Sequence, residues 1–134
     1  MPEPFKSSLD TNLICRLIIG DVPAQREKAK HLLSDISHSF YVNDVVVAET
    51  IFVLSSVYCL EREKISEDLK NLFSLPNVSP ESPFILDALD FYASHPSLSF
   101  VDCYSAFFAE ANNKEPLLTF DRKLSRQHPS AKSL

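Results

Sequence analysis

Between Thr11 and Ile19 the apolar residues Leu13, Ile14, Leu17 and Ile18 recur at helical spacing, and Gly20, the only glycine, ends the run. Pro23 opens a second helical stretch to about Ser37, with Ala29, Leu32, Leu33 and Ile36 expected on its buried face. Upstream, Pro2 and Pro4 lead into a short apolar start from Phe5 to Leu9, a first strand that ends at Asp10. Phe40, Tyr41 and Val42 predict another short strand, and Asn43 and Asp44 follow as turn or N-cap residues. Val45 to Cys59 is a strongly apolar helix, and Ile65 to Phe73 an amphipathic one with Lys64, Asp68 and Lys70 outward. Asn77–Val78 predicts a brief strand, and Ser79–Pro80 or Ser82–Pro83 starts a helix that runs through Tyr92. After a break at His95–Pro96, Phe100 to Ala111 is helical, and Asn112–Asn113 can take the left-handed conformation at its end. Pro116 to Phe120 reads as the last strand and Arg122 to Arg126 as the last helix.

Short strands alternating with helices predict an α/β fold, a short central parallel sheet flanked by helices on both faces. Such sheets bind ligands at the carboxyl ends of their strands. A length of 134 residues suits one domain, expected over residues 1–126, with a polar and loose tail over 127–134. With 45% hydrophobic and 23% charged residues the chain can build a real core, which argues against disorder. A net charge of −5 argues against binding nucleic acid through a broad basic surface, yet suits a cluster of acids. Cys15, Cys59 and Cys103 form neither a disulfide framework nor a zinc spacing, so a reduced, cytoplasmic compartment is expected. No apolar run follows the first charges, and Val45–Ala48 and Ile51–Leu54 are too short to span a bilayer; neither a secretory signal nor a membrane partner is expected.

Four acids then change the picture. Asp10 and Asp121 directly follow the first and last strands, at the carboxyl edge of the sheet and the amino ends of helices. Capping explains both just as well, because Asp is a favoured N-cap. Asp102 closes a capping-box pattern from Ser99, which accounts for it without any chemistry. Glu49 differs: its helical neighbours are Val45, Val46, Phe52 and Val53, surroundings that predict a buried carboxylate. A buried carboxylate needs an ion-pair partner or a cation. Converging acids raise one another's pKa, and a divalent ion offsets that repulsion with the oxygen ligands it prefers.

Leu9-Asp10-Thr11-Asn12, Val47-Ala48-Glu49, Phe100-Val101-Asp102-Cys103 with Ala106 and Glu110, and Leu117-Leu118-Thr119-Phe120-Asp121-Arg122 resemble the successive motifs of PIN domains. The likeness runs from about Phe5 to Leu124 and is greatest to the single-domain toxins of VapBC type. The resemblance implies a PIN-like three-layer fold and an endoribonuclease that hydrolyses RNA phosphodiester bonds with Mg²⁺ or Mn²⁺. It implies Asp10 and Asp102 as principal metal ligands, with Glu49 and Asp121 completing the acidic pocket. Asn12 and Thr119 match polar positions that orient carboxylates or water, although Thr119 is equally an ordinary strand residue. The same resemblance implies a homodimer and a cognate antitoxin, with the apolar region Val45–Phe73 supplying partner surface. Two features depart from the pattern: glycine is nearly absent, and Asp44 takes a turn where an uncharged residue is more usual.

Rival readings are a non-cleaving PIN module that binds RNA or protein, and a stand-alone PIN nuclease without an antitoxin. Four repelling carboxylates are unneeded in a scaffold. A receiver-type phosphate site would pair an acid with Asp10, where Thr11 and Asn12 follow instead. One glycine cannot make a dinucleotide-binding loop. His31, His38, His95 and His128 lack metal-ligand spacing and are read as surface residues; no Ser/His/Asp set carries a supporting motif. Arg16, Arg122, Lys123 and Arg126 lie near acids in sequence, available to RNA phosphates or simply solvated.

Overall fold

A computed structural model describes residues 5–134, and Pro2 and Pro4 lie outside the described residues. The chain divides into two units between Ser82 and Pro83.

The first unit holds three parallel strands, β1 (Lys6–Ser8), β2 (Ser39–Val42) and β3 (Val78–Pro80), with β2 in the middle. Lys6 lies opposite Ser39, and Phe40 opposite Val78. Parallel neighbours need long crossovers. Helices α1 (Thr11–Ile19) and α2 (Pro23–Ser34) supply the first, and α3 (Asp44–Ser56) and α4 (Arg62–Phe73) the second. The ladder continues past the strands: Leu9 N–H donates to the Tyr41 carbonyl at 2.9 Å and Glu81 N–H to Val42 at 3.0 Å. Phe40 and Val42 are fully buried while Tyr41 between them is exposed, as strand alternation requires. Ile14, Val47, Leu54, Ile65 and Leu69 complete that core, each stabilising by about 1.5–3 kcal/mol on burial.

Local chemistry sets the helix ends. The Asp10 carboxylate accepts the Leu13 N–H at 2.9 Å at the start of α1. Gly20 closes α1 in the left-handed region at φ 70°, with its N–H donating to Arg16. Helix α2 stops at Ser34, three residues before the predicted end. Asp35 Oδ1 accepts both the Ser37 N–H and its hydroxyl, offering the chain a turn in place of another helical bond. Ile36, expected on the buried face, is 73% exposed as a result.

The second unit comprises α5 (Ile85–Ser94), α6 (Phe100–Ala111), β4 (Leu117–Thr119), α7 (Arg122–Gln127) and β5 (Ala131–Ser133). Its core contains Ile85, Leu89, Leu98, Cys103, Ala106 and Leu124. Asn113 takes φ 56° after α6, the left-handed role expected of the asparagine pair. The tail predicted to be loose is a strand. Strand β5 pairs in parallel with β4, and Leu117 N–H donates to Ser130 and Leu134 N–H to Thr119 at 2.8 and 2.9 Å. Non-local pairing holds what local composition would leave free.

The histidines also differ from expectation. His31 alone is exposed. His38 stacks on Phe5 with ring centroids 3.7 Å apart and accepts its N–H. His95 stacks on Phe91, also at 3.7 Å, and His128 is buried between Phe91 and Phe107. Aromatic faces replace water around these rings. The fold is thus α/β, and among the described residues the paired strands are parallel, in one three-stranded and one two-stranded sheet. No helix among the described residues is long and apolar enough to cross a membrane.

Candidate active site

In the first unit, Asp10 sits two residues past β1, at the carboxyl edge of the three-stranded sheet, exposed and capping α1 through Oδ1. Its Oδ2 has no protein partner among the described residues. Asp10, Asn12 and Arg16 line a cleft of about 600 Å³ with Gln25 and Lys28. A second cleft, about 230 Å³, is lined by Thr11, Cys15, Glu49, Val53 and Tyr58 and shares Asn12 and Arg16 with the first. The two acids therefore face adjoining spaces. Cys15 registers both charges: burial pushes its thiol pKa up, Arg16 pulls it down, and Glu49, Asp21 and Asp10 push it up further.

Glu49 is exposed, which corrects the expectation of a buried carboxylate. Helix α3 is apolar on more than one side. Its buried stripe is Val47, Thr50, Ile51 and Leu54, whereas Val45 and Phe52, which flank Glu49, are 75% and 67% exposed. The neighbours are hydrophobic, but they are not core. Glu49 forms no hydrogen bond or ion pair with any described residue.

Arg16, which lines both clefts, is held in an ion pair. Its Nη1 meets Asp21 Oδ2 at 2.8 Å, and the Tyr58 hydroxyl donates to the same oxygen at 3.1 Å. That arrangement raises the Arg16 pKa and lowers that of Asp21, in both cases chiefly through their mutual hydrogen bond. Thr11 Oγ1 and Arg16 Nε are buried without hydrogen-bond partners beside the same cleft, so polar capacity there is unspent. Neither Asp21 nor Tyr58 is marked by periodicity or motif. Only the 42-residue separation of Arg16 and Tyr58, closed by the packing of α1 against α3, brings them together.

In the second unit, Asp102 lies in the first turn of α6, half-buried. Ser99 Oγ accepts the Asp102 N–H at 3.2 Å, but the Asp102 carboxylate makes no hydrogen bond among the described residues. Only half of the predicted capping box forms, so capping does not employ this acid. Asp121 does cap: its Oδ1 accepts the Lys123 and Leu124 N–H groups at 2.8 and 3.3 Å. The Thr119 hydroxyl accepts the Asp121 N–H at 2.9 Å and so fixes the backbone beneath the acid.

None of the four acids is paired with a cation among the described residues. Nor do three or more His, Cys, Asp or Glu side chains there gather closely enough to hold a metal ion. Each unit by itself nevertheless offers hard carboxylate oxygens of the kind Mg²⁺ or Mn²⁺ prefers, one on a capping acid and one on an acid with no hydrogen bond among the described residues. Mg²⁺ characteristically keeps several waters and takes one or two carboxylates, so a closed cage is not required.

The PIN domain family model matches residues 8–128, a span that crosses the division between the two units. No curated protein matches the chain.

Proposed function

This chain belongs to the PIN-domain family, and on that premise we propose that it is a metal-dependent endoribonuclease, the toxin of a bacterial type II toxin–antitoxin pair. PIN domains are generally nucleases that use divalent metals. The observation that carries the reading is the set of four motif carboxylates, Asp10, Glu49, Asp102 and Asp121, free of compensating cations among the described residues. Carboxylates that no protein cation neutralises are available to a divalent ion, which prefers such hard oxygen ligands.

Asp10 and Asp102 are assigned as principal ligands of Mg²⁺ or Mn²⁺, with Glu49 and Asp121 completing the acidic set. When bound, the divalent ion supplies positive charge to the phosphodiester and acidity to water. The chain's own residues do the rest. Asn12, exposed where the two clefts meet, offers an amide that orients a carboxylate or water. Thr119 holds the Asp121 backbone so that one carboxylate oxygen stays on the helix cap and the other is left over. RNA is then cut by direct attack of water at phosphorus, breaking the phosphorus–oxygen ester bond without a covalent enzyme intermediate.

The exposed apolar side chains of α3, Val45 and Phe52, with Val57 just beyond it, support a protein partner on that face. We assign it to the homodimer or the cognate antitoxin. Calorimetric titration with Mn²⁺ tests the metal assignment: the wild type should bind, and the Asp10→Asn, Asp102→Asn double variant should not. Equal binding by both would remove these two residues as ligands.

A further inference from the structure

We propose that Phe120 is a base-stacking platform for single-stranded RNA, with Arg122 and Lys123 holding the adjoining phosphates. The inference deepens the nuclease reading and rests on it. Phe120 is 82% exposed, the most exposed large hydrophobic residue among those described. The sequence places it at the end of a strand, Pro116 to Phe120; it stands just past the carboxyl end of β4. Leu118, two residues earlier and so on the same side of the strand, is 58% exposed.

The usual structural use of this position is missing. Phe120 directly precedes the N-cap Asp121, where an apolar residue normally staples onto the fourth residue of the helix. That fourth residue is Ser125, which offers no apolar partner. The backbone on either side is fixed, by the Asp121 N–H on Thr119 Oγ1 and by Asp121 Oδ1 on two α7 amides. The ring is therefore presented to solvent by a rigid turn.

The flanking charge says what covers it. Arg122 and Lys123 are exposed, and no carboxylate among the described residues pairs with either. An aromatic face beside two free cations is complementary to a stacked base and its phosphates. It matches a polyanion better than an apolar protein segment. The neighbouring Asp121 places this platform beside one of the four motif acids.

The chain contains no tryptophan, so Phe120→Trp reports on this position alone. Its emission is read during titration with single-stranded RNA and with abasic RNA of equal length, which carries the same phosphates without bases. Quenching by the base-containing RNA only is the expected result. Equal responses, or none at concentrations that saturate cleavage, would overturn the proposal and leave the ring to a protein partner. In parallel, Phe120→Ala and Phe120→Leu should raise KM for RNA about tenfold to a hundredfold, the range of one lost base–aromatic stack, with kcat little changed. Phe120→Tyr should restore it. An unchanged KM in an active Phe120→Ala protein would likewise contradict stacking. Failure of the wild type to cut RNA would instead defeat the nuclease reading, and the fluorescence titration would still decide the stacking.

Discussion

Ser99 accepts the backbone N–H of Asp102 at 3.2 Å, and Asp102 does not return the bond. The hydroxyl does the capping while the carboxylate, half-buried, remains uncommitted. Stability and function are therefore separable at this helix start. Ser99→Ala should cost about 1 kcal/mol, the ordinary loss of an N-cap. Asp102→Asn should change stability by no more than about 0.5 kcal/mol while cleavage is lost. Urea unfolding of both variants checks this, and a strongly destabilised Asp102→Asn would show that the carboxylate has a structural bond after all.

The Arg16–Asp21–Tyr58 cluster makes a prediction about acid. Asp21 has its pKa lowered, first by the hydrogen bond from Arg16, then by that from Tyr58 and by the Arg16 charge. A carboxyl whose folded pKa lies below its unfolded one stabilises the fold above the unfolded value and loses that contribution as pH falls through the folded value. Asp21→Asn should accordingly flatten the acid limb of the stability profile below about pH 4. The effect should be small and salt-sensitive, since the pair is partly exposed. Denaturant midpoints from pH 2 to 5 that remain parallel in the two proteins would contradict the role given to Asp21.

His128 should act in the opposite part of the pH range. Burial lowers its pKa, while Glu110 and Glu115 pull it upward and His95 lowers it. Its Nδ1 accepts the Ser130 N–H at 3.0 Å, which requires the unprotonated nitrogen. The unfolded chain binds a proton there more readily, so stability is full above about pH 6.5 and declines as pH falls toward the lowered folded value. His128→Asn, which keeps an acceptor and cannot titrate, should remove that decline. Hydrogen exchange of the β4–β5 amides between pH 5 and 7 would show it, and an equal pH response in both proteins would exclude His128 as the source.

Much of the fold was legible because its punctuation is local. Asp10 and Gly20 bound α1, and Ser99 and Asn112–Asn113 bound α6, at the residues predicted from cap chemistry. What escaped was set by distant partners. Strand β5 has only three residues, Ala131–Ser133, and exists through β4. The burial of His128 depends on rings from α5 and α6. Periodicity failed at α3, where apolar residues on several sides leave no stripe to say which face is core, and so Glu49 was expected inside. The capping by Asp10 and Asp121 was legible from their place before helices. The state of the Asp102 carboxylate was not, because Asp102 matches a capping box that forms only by half.

The central claim is metal-dependent hydrolysis of RNA by the four motif acids. Its most direct test is cleavage of a mixed-sequence single-stranded RNA by the purified protein in Mg²⁺, Mn²⁺ or EDTA, beside Asp102→Asn. Cutting that requires the metal and disappears in the folded variant is the predicted result. Cutting that persists in EDTA, or in Asp102→Asn at the wild-type rate, would contradict it.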